Sequence, residues 1–305
     1  MNRNPCDKPA RIGANRKPRA GGARTRACRR SQGRRARFGA TLNPRGGRAV
    51  MGAQLFDFFA EKGFFWTLAV GWMTGPPLIY LLVWSAAASG GAIGGYDRND
   101  FVVYYLCLIL TNQLTYPTTH WSTAEGIENG SVFSALLRPL PLVYGAVATE
   151  LAVKLVCVPF VLAVVLLLGW LFGARTSVTA AGVLAALGAL LLALVIRFLL
   201  SYILSLLAFW THRSAALLSV NDTFVFLFAG QVAPLALFPG PLQAVAYCLP
   251  YRYLLSFPVE ALMGKLSPDG LLAGFGMQLG WLVLLIGLHR IVYRAGLQHY
   301  TAVGG

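Results

Sequence analysis

The residues of this sequence that are able to bind nucleotides or do covalent chemistry form none of the usual motifs. A P-loop reads GxxxxGK[ST], and its backbone amides and lysine cradle phosphate groups. Gly264-Lys265 is the nearest match, but Val259 stands where the first glycine should be and Leu266 where serine or threonine should be. We therefore expect that this chain hydrolyses no ATP itself and carries no cofactor.

A metal centre is not indicated either. His120, Glu125 and Glu128 come nearest to a ligand cluster, yet their spacings of five and three residues do not reproduce the HExxH pattern of zinc enzymes. The five cysteines form no CxxC pair, and no serine lies in a GxSxG elbow. We expect neither a metal site nor hydrolase activity.

Four charged residues lie in apolar segments, where a charge costs about 2.5–3.5 kcal/mol near the middle of a membrane helix and therefore tends to mark function. Glu150 and Lys154 are four residues apart on one helical face, so we expect a salt bridge between them at the cytoplasmic interface. Arg197 and Asp222 lie deeper, on either side of a turn at 211–213. We expect them to form a buried structural ion pair rather than a substrate site.

The stretch 125–142, between the second and third apolar segments, is polar at its start and amphipathic afterwards. Its polar residues are Glu125, Glu128 and Asn129, and its glycines are Gly126 and Gly130. An apolar stripe follows, formed by Val132, Phe133, Leu136 and Leu137, and the pair Arg138-Pro139 closes the stretch. The glycines allow close approach or a break, and the stripe has helical spacing. We interpret the stretch as a short surface helix that docks on a cytoplasmic partner; the alternative is a plain interfacial connector.

Composition places these elements in a membrane. Hydrophobic residues make up 56% of the chain and charged residues 12%, against about a quarter charged in soluble domains. Apolar runs give six candidate spans: 64–88, 101–119, 146–172, 178–210, 214–238 and 271–290. An even number puts both termini on one side, and the lysines and arginines of the loops slightly favour the cytoplasm. The prediction is an all-α protein with six transmembrane helices.

Three apolar segments depart from plain spans. Pro76-Pro77 should kink the first helix. The stretch 178–210 is about 50 Å long if helical and exceeds a hydrocarbon core of about 30 Å, so it must tilt, break or protrude. Residues 231–270 contain six prolines among apolar residues. We interpret them as short half-helices that re-enter the outer leaflet.

The positive charge is concentrated in residues 1–50, which hold 15 of the 26 lysines and arginines and a single acidic residue, Asp7. This segment has too few apolar residues to form a core, so we predict a basic disordered tail. Binding to anionic lipids or to RNA is an alternative role, but we expect no nucleic-acid partner. The preferred interpretation is that translation begins at or near Met51 and that 51–305 form the membrane domain.

Four segments together resemble a known family. They are AEGIENGSVFSALLRPLPL after the second span, LLSYILSLLAFW at the end of the fourth, LFPGPLQAVAYCLPYRYLLSFPVEALMGKL before the sixth, and the terminal YTAVGG. Through them, residues 51–305 resemble the permease subunits of type-2 ABC exporters, in the branch with bacterial drug- and antibiotic-export permeases. The LLRP pattern after the glycines and the proline-rich segment are moderately specific.

The resemblance implies cytoplasmic termini in a bacterial inner membrane, re-entrant extracellular half-helices before the last span, and a coupling helix that contacts a separate ATPase subunit. The ATPase-coupling residues are then Glu125, Gly126, Glu128, Gly130, Phe133, Leu137 and Arg138. It also implies a homodimer or a heterodimer with a second permease, surrounded by lipids, that exports an unidentified amphiphilic or lipid-like solute.

Two other functions remain open on the residues alone. The first is a secondary transporter that uses Glu150, Arg197 and Asp222 as an ion relay. The second is a membrane-embedded enzyme or an assembly factor that transports nothing.

Overall fold

The computed structural model describes residues 74–132, 142–176, 179–211 and 213–299. The predicted basic tail, together with Phe133, Leu137 and Arg138 of the predicted coupling element, lies outside these ranges. Within them the chain is helical and contains no β-strand. Its helices are α1 (Gly75–Ala87), α2 (Arg98–Thr115), α3 (Thr119–Glu128), α4 (Leu142–Leu171), α5 (Ala180–Leu206), α6 (Ser214–Phe228), α7 (Gly240–Cys248), α8 (Ser256–Leu262) and α9 (Pro268–His299). The predicted all-α class is confirmed.

Local sequence explains where α1 and α2 begin. The Asp97 carboxylate accepts a hydrogen bond from the Asp100 amide at 2.6 Å, and the Asp100 carboxylate accepts one from the Asp97 amide at 3.3 Å. This reciprocal capping box fixes the start of α2. Pro76 and Pro77 lie in the first turn of α1, where a missing N–H costs little. The described helix therefore begins at the proline pair, and the kink predicted there is absent from the described part of α1.

Among the described residues, three helices are long and apolar enough to cross a bilayer: α4, α9, and α5 with the 3₁₀ turn that extends it to Phe209. The 30 residues of α4 measure about 45 Å at 1.5 Å per residue, more than the hydrocarbon core of about 30 Å. Between 17% and 28% of the residues in their apolar windows are buried, so most of these side chains face outward. These helices confirm the apolar spans predicted at 146–172, 178–210 and 271–290.

Two helices occupy the interior of the described bundle. α2 packs against α1, α4, α5 and α8, and its Phe101, Tyr104, Tyr105 and Leu108 side chains are fully buried. α5 contacts α2, α3, α6, α8 and α9. Polar residues in the interior of these two helices, such as Asn112 on α2 and Arg197 on α5, are therefore buried in the protein.

The second predicted span, at 101–119, is broken in the structure. α2 ends at Thr115, and Tyr116 has an extended conformation with φ −60° and ψ 122°. Pro117 explains both features, because it disfavours helical geometry at the preceding residue and lacks the N–H that would continue the helix. A separate helix, α3, then starts at Thr119.

The fifth predicted span, at 214–238, is shorter than its apolar pattern suggested. α6 ends at Phe228 after 15 residues, about 22 Å. Gly230 then adopts a φ of 84°, and its carbonyl accepts a hydrogen bond of 2.9 Å from the Tyr104 hydroxyl. A side chain at position 230 would collide with that hydroxyl, so this turn depends on glycine.

Residues 231–270 form short helices, as predicted. α7 and α8 alternate with 3₁₀ turns at Leu235–Leu237 and Pro250–Leu254. A buried ion pair holds this segment together: Arg252 lies 2.9 Å from the Glu260 carboxylate, which also accepts a hydrogen bond from Ser256 at 2.8 Å. Re-entry into the outer leaflet stays a prediction.

An ion pair near the start of α2 joins that helix to the segment after α8. The Lys265 ammonium lies 2.7 Å from the Asp100 carboxylate and 5.0 Å from the centre of the Tyr96 ring. Burial, and then the negative charge of Glu260, raise the pKa of Tyr96 above its usual value. The Tyr96 phenol therefore stays neutral beside this pair.

Candidate functional site

The break between α2 and α3 is held by a carboxylate from α4. Oε1 of Glu150 accepts hydrogen bonds from the amides of Thr118 and Thr119, at 2.5 and 2.7 Å, and from the Thr119 hydroxyl at 2.9 Å. The start of a helix has unpaired N–H groups and a partial positive charge. Glu150 therefore caps α3 from a neighbouring helix.

Lys154 binds the other side of the same break. Its ammonium lies 2.9 Å from Oε2 of Glu150 and donates a hydrogen bond of 2.8 Å to the carbonyl of Tyr116. The carbonyl before Pro117 and the amides after it are thus satisfied by one ion pair. We call Glu150, Lys154 and the backbone at 116–119 the break clamp.

The predicted Glu150–Lys154 contact is confirmed, but its surroundings differ from an interfacial salt bridge in water. Only 7% of the Glu150 side chain and 12% of the Lys154 side chain are exposed. A buried ion pair is favourable only where further hydrogen bonds satisfy both charges. The broken backbone supplies those bonds, so the pair fixes the position of α3 relative to α4.

The opposite end of α3 is attached to α6. Oε1 of Glu128 accepts a hydrogen bond of 3.3 Å from the Ser214 amide and a closer one from the Ser214 hydroxyl. Ser214 is the first residue of α6, so Glu128 caps that helix as Glu150 caps α3. α3 is therefore tethered to α4 at its start and to α6 at its end.

The other described residues of the predicted coupling element lie on or just after α3. Glu125 is exposed, and no described residue forms an ion pair with it. Gly126 lies within the helix, whereas Gly130 follows its end with a φ of 78°. Of the two roles that the sequence left open for these glycines, close approach or a break, Gly130 lies at a break. The amphipathic stripe from Phe133 onward lies outside the described residues.

A cavity of about 500 Å³ lies among α2, α3, α5 and α6. Both deep charges identified in the sequence face it, together with four polar side chains: Arg197 and Asp222; Asn112, Ser219, Thr223 and Gln231. This volume falls within the range of about 300–1,000 Å³ that is usual for small-molecule sites. The cavity is therefore large enough to hold part of a solute.

The guanidinium of Arg197 is held by neutral groups. Its Nη1 donates hydrogen bonds of 2.8 Å to the Asn112 amide oxygen and to the Thr115 hydroxyl, and the group lies 5.2 Å from the centre of the Tyr116 ring. No carboxylate in the described ranges comes within 4.0 Å of it. The predicted Arg197–Asp222 ion pair is therefore wrong, because α2 supplies nearer acceptors.

Asp222 faces a buried histidine instead. Its Oδ2 is 4.0 Å from Nε2 of His120, which is too far for a hydrogen bond. His120 is only 1% exposed, and neither ring nitrogen has a hydrogen-bond partner within the described residues. Since Glu125 is exposed and Glu128 binds Ser214, these carboxylates do not join His120 in a ligand cluster, and no group of three metal-binding side chains occurs in the part described.

The sequence did not identify Asn112 and Thr115 as partners of Arg197, Ser214 as the partner of Glu128, or the backbone at 116–119 as the partner of Glu150 and Lys154. One signal for the first two was present. The run TNQLT at 111–115 puts four polar residues at the end of an apolar segment, and polar side chains in membrane helices usually find partners on neighbouring helices. Ser214 carries no comparable signal, because a serine at a helix start is common in any protein.

A family model described as ABC-2 family transporter protein matches residues 71–304. This stretch includes every helix given above, the break clamp and the cavity. No curated protein matches the chain at a significant level.

Proposed function

The chain belongs to the ABC-2 family of transporters, and on this premise we propose that it is the permease subunit of an ATP-driven exporter. It is a multi-pass membrane protein and an ABC permease. ATP binding and hydrolysis would take place on a separate ABC ATPase subunit, and the permease would do no covalent chemistry. We place it in the bacterial cytoplasmic membrane with both termini in the cytoplasm.

The observation that supports this proposal most directly is the attachment of α3 at both ends. Glu150 holds its start on α4, Glu128 holds its end on α6, and the exposed carboxylate of Glu125 lies between them. A force applied at Glu125 is therefore passed to two other helices. In a plain connector the same two contacts would serve stability alone, so the coupling role depends on what Glu125 contacts.

The same contacts suggest a mechanism. Closure of the ATPase subunits on ATP would displace α3, and the Glu128–Ser214 contact would carry that displacement to α6. Asp222 on α6 and Arg197 on α5 both face the cavity. Movement of α6 would therefore change the shape and charge distribution of the cavity, which is what release of a bound solute requires.

The roles of the predicted coupling residues differ on this proposal. Glu125 would contact the ATPase directly, together with Phe133, Leu137 and Arg138. Glu128 would act through α6, because its carboxylate is already bound to Ser214. The transported solute would be amphiphilic or lipid-like, and two permease chains, identical or different, would form the path.

The proposal is tested by reconstituting the full chain in liposomes with a candidate ABC ATPase subunit. We expect Glu125→Lys to reduce retention of the ATPase and transport-linked ATP hydrolysis at least tenfold. Asp269→Lys is the matched control, since it makes the same charge change at an exposed carboxylate on α9. Equal losses in both variants, or none in either, would contradict a specific contact at α3.

A further inference from the structure

The cavity among α2, α3, α5 and α6 contains one fixed cation and one fixed anion that do not neutralise each other directly. Arg197 and Asp222 both line it, yet no ion pair within 4.0 Å joins them in the described part of the chain. Two opposite charges in one low-dielectric space attract strongly unless something holds them apart. Here the hydrogen bonds from Arg197 to Asn112 and Thr115 do so.

Each charge has bonding capacity left. A guanidinium has five N–H donors, and the two hydrogen bonds of Arg197 to described residues both come from Nη1. The Asp222 carboxylate accepts no hydrogen bond from any described residue, and the basic side chain nearest to it among those residues is His120, at 4.0 Å. Because burying unsatisfied charged groups is costly, a ligand that supplies an anion to Arg197 and donors to Asp222 would be favoured.

The remaining walls suit an apolar body and an ammonium group. Tyr116, Trp121 and Phe226 line the cavity with Pro76 and Val225. Aromatic faces attract ammonium groups by about 0.5–2 kcal/mol, and the aliphatic walls accept a hydrocarbon chain. A ligand with only an anionic head would meet Asp222, and one with only a cationic head would meet Arg197.

We propose that this cavity binds the zwitterionic head group of an amphiphile, with Arg197 holding its phosphate or carboxylate and Asp222 holding its ammonium. The inference rests on the proposed permease function, because it names the class of solute that the permease carries. In this arrangement Arg197 and Asp222 bind different groups of the ligand, so substitution of each residue should change binding in a different way.

The test is equilibrium binding to the purified full-length chain in dodecyl maltoside. Three ligands each carry a single monounsaturated chain, oleoyl in the two lysolipids and oleyl in the amine, and they differ in the charge of the head. Lysophosphatidylethanolamine is zwitterionic, lysophosphatidic acid is anionic, and oleylamine is cationic. Glycerophosphoethanolamine carries the zwitterionic head without the chain. We expect the zwitterionic lipid to bind at least tenfold more tightly than each of the other three.

Variants then separate the two charges. Asp222→Asn should abolish the preference over lysophosphatidic acid, and Arg197→Gln should abolish the preference over oleylamine. Asp269→Asn makes the same carboxylate-to-amide change at an exposed residue of α9 outside the cavity, and it should bind as the unmodified chain does. Since Asp222 is partly exposed whereas Arg197 is buried, Asp222→Asn gives a result even where Arg197→Gln does not fold.

Equal binding of the three lipids, or an unchanged preference in a monodisperse Asp222→Asn protein, would overturn the inference. If glycerophosphoethanolamine binds as tightly as lysophosphatidylethanolamine, the inference that the ligand is an amphiphile is overturned. This assay contains no ATP and no ATPase, so its failure leaves the permease proposal intact. Conversely, a chain that binds the zwitterion but never couples to an ATPase would refute only the permease function.

Discussion

The backbone amide of Thr119 donates a hydrogen bond of 2.7 Å to the carboxylate of Glu150, which belongs to a helix that begins 23 residues later in the chain. This contact fixes how α3 is oriented after the break at Pro117. It is buried and charge-assisted, which makes it stronger than a hydrogen bond between neutral groups. The direction in which α3 leaves α2 is therefore set by a side chain of α4 rather than by the break itself.

Glu150→Gln should lower the thermal stability of the full chain in detergent, because Lys154 then remains as a buried cation without its counter-ion. Removing one partner of a buried ion pair costs about 3–5 kcal/mol. Adding Lys154→Met should recover much of that loss. The measurement is the melting midpoint of the single and double variants, with Glu125→Gln as the exposed control. Strictly additive losses would mean that the two residues are not coupled.

A second prediction concerns the partners of Arg197. Hydrogen bonds to charged groups contribute about 1.5–3 kcal/mol, so Arg197→Met and Asn112→Leu should show a coupling energy of that size in a double-mutant cycle. The same cycle with Asp222→Asn should give less than half as much. Melting or denaturant titration of the solubilised variants measures both values. If the coupling energy of Arg197 with Asp222 exceeds that with Asn112, Arg197 and Asp222 form the direct ion pair that the sequence suggested.

A third prediction concerns the junction of α3 and α6. Ser214→Ala should destabilise the chain by about 1 kcal/mol, since it removes a hydrogen bond at the start of a helix. Glu128→Gln should do so as well, and the double variant should lose less than the sum because both changes remove one contact. Ser219→Ala is the matched control: it lies on the same helix, and its hydroxyl bonds only the Ala215 carbonyl among described residues. Equal losses for Ser214→Ala and Ser219→Ala would contradict a specific cap.

The long apolar helices were predictable because hydrophobic length is a property of the chain itself. The Glu150–Lys154 contact was predictable for a similar reason, since a spacing of four residues brings two side chains together on any helix. The partner of Arg197 was not. α4 and α5 are apolar nearly all round, so their sequences do not show which face turns toward α2. The rotation of α5 decides whether Arg197 meets Asn112 or Asp222, and that rotation depends on packing against five other helices.

The end of α2 is a second feature that the sequence alone did not predict. The apolar pattern continues past Thr115, whereas the helix stops there. Pro117 was visible in the sequence, but prolines also occur within intact membrane helices when neighbours satisfy the freed backbone groups. Pro159 lies inside the intact helix α4. At Pro117 the helix is broken, and Glu150 and Lys154 stabilise the break by binding the backbone on either side of it.

The last prediction concerns the apolar part of the coupling element. Interface energy concentrates in a few central aromatic and charged anchors, and Phe133 is the aromatic residue in the stripe that follows α3. Phe133→Ala should therefore reduce ATPase retention and substrate-stimulated hydrolysis tenfold or more, equivalent to about 1.4 kcal/mol. Insertion of the chain should be unchanged, because Glu150 and Glu128 still make the contacts that hold α3 to α4 and α6.

Trp170→Ala is the control for that experiment, since it truncates an aromatic side chain that is 80% exposed at the end of α4. The comparison requires equal amounts of each variant in the membrane. If Phe133→Ala and Glu125→Lys both keep full ATPase association and transport, the stretch after α3 is only a connector. The capping contacts at Glu150 and Glu128 would then serve stability alone, because nothing would act on α3 from outside the membrane.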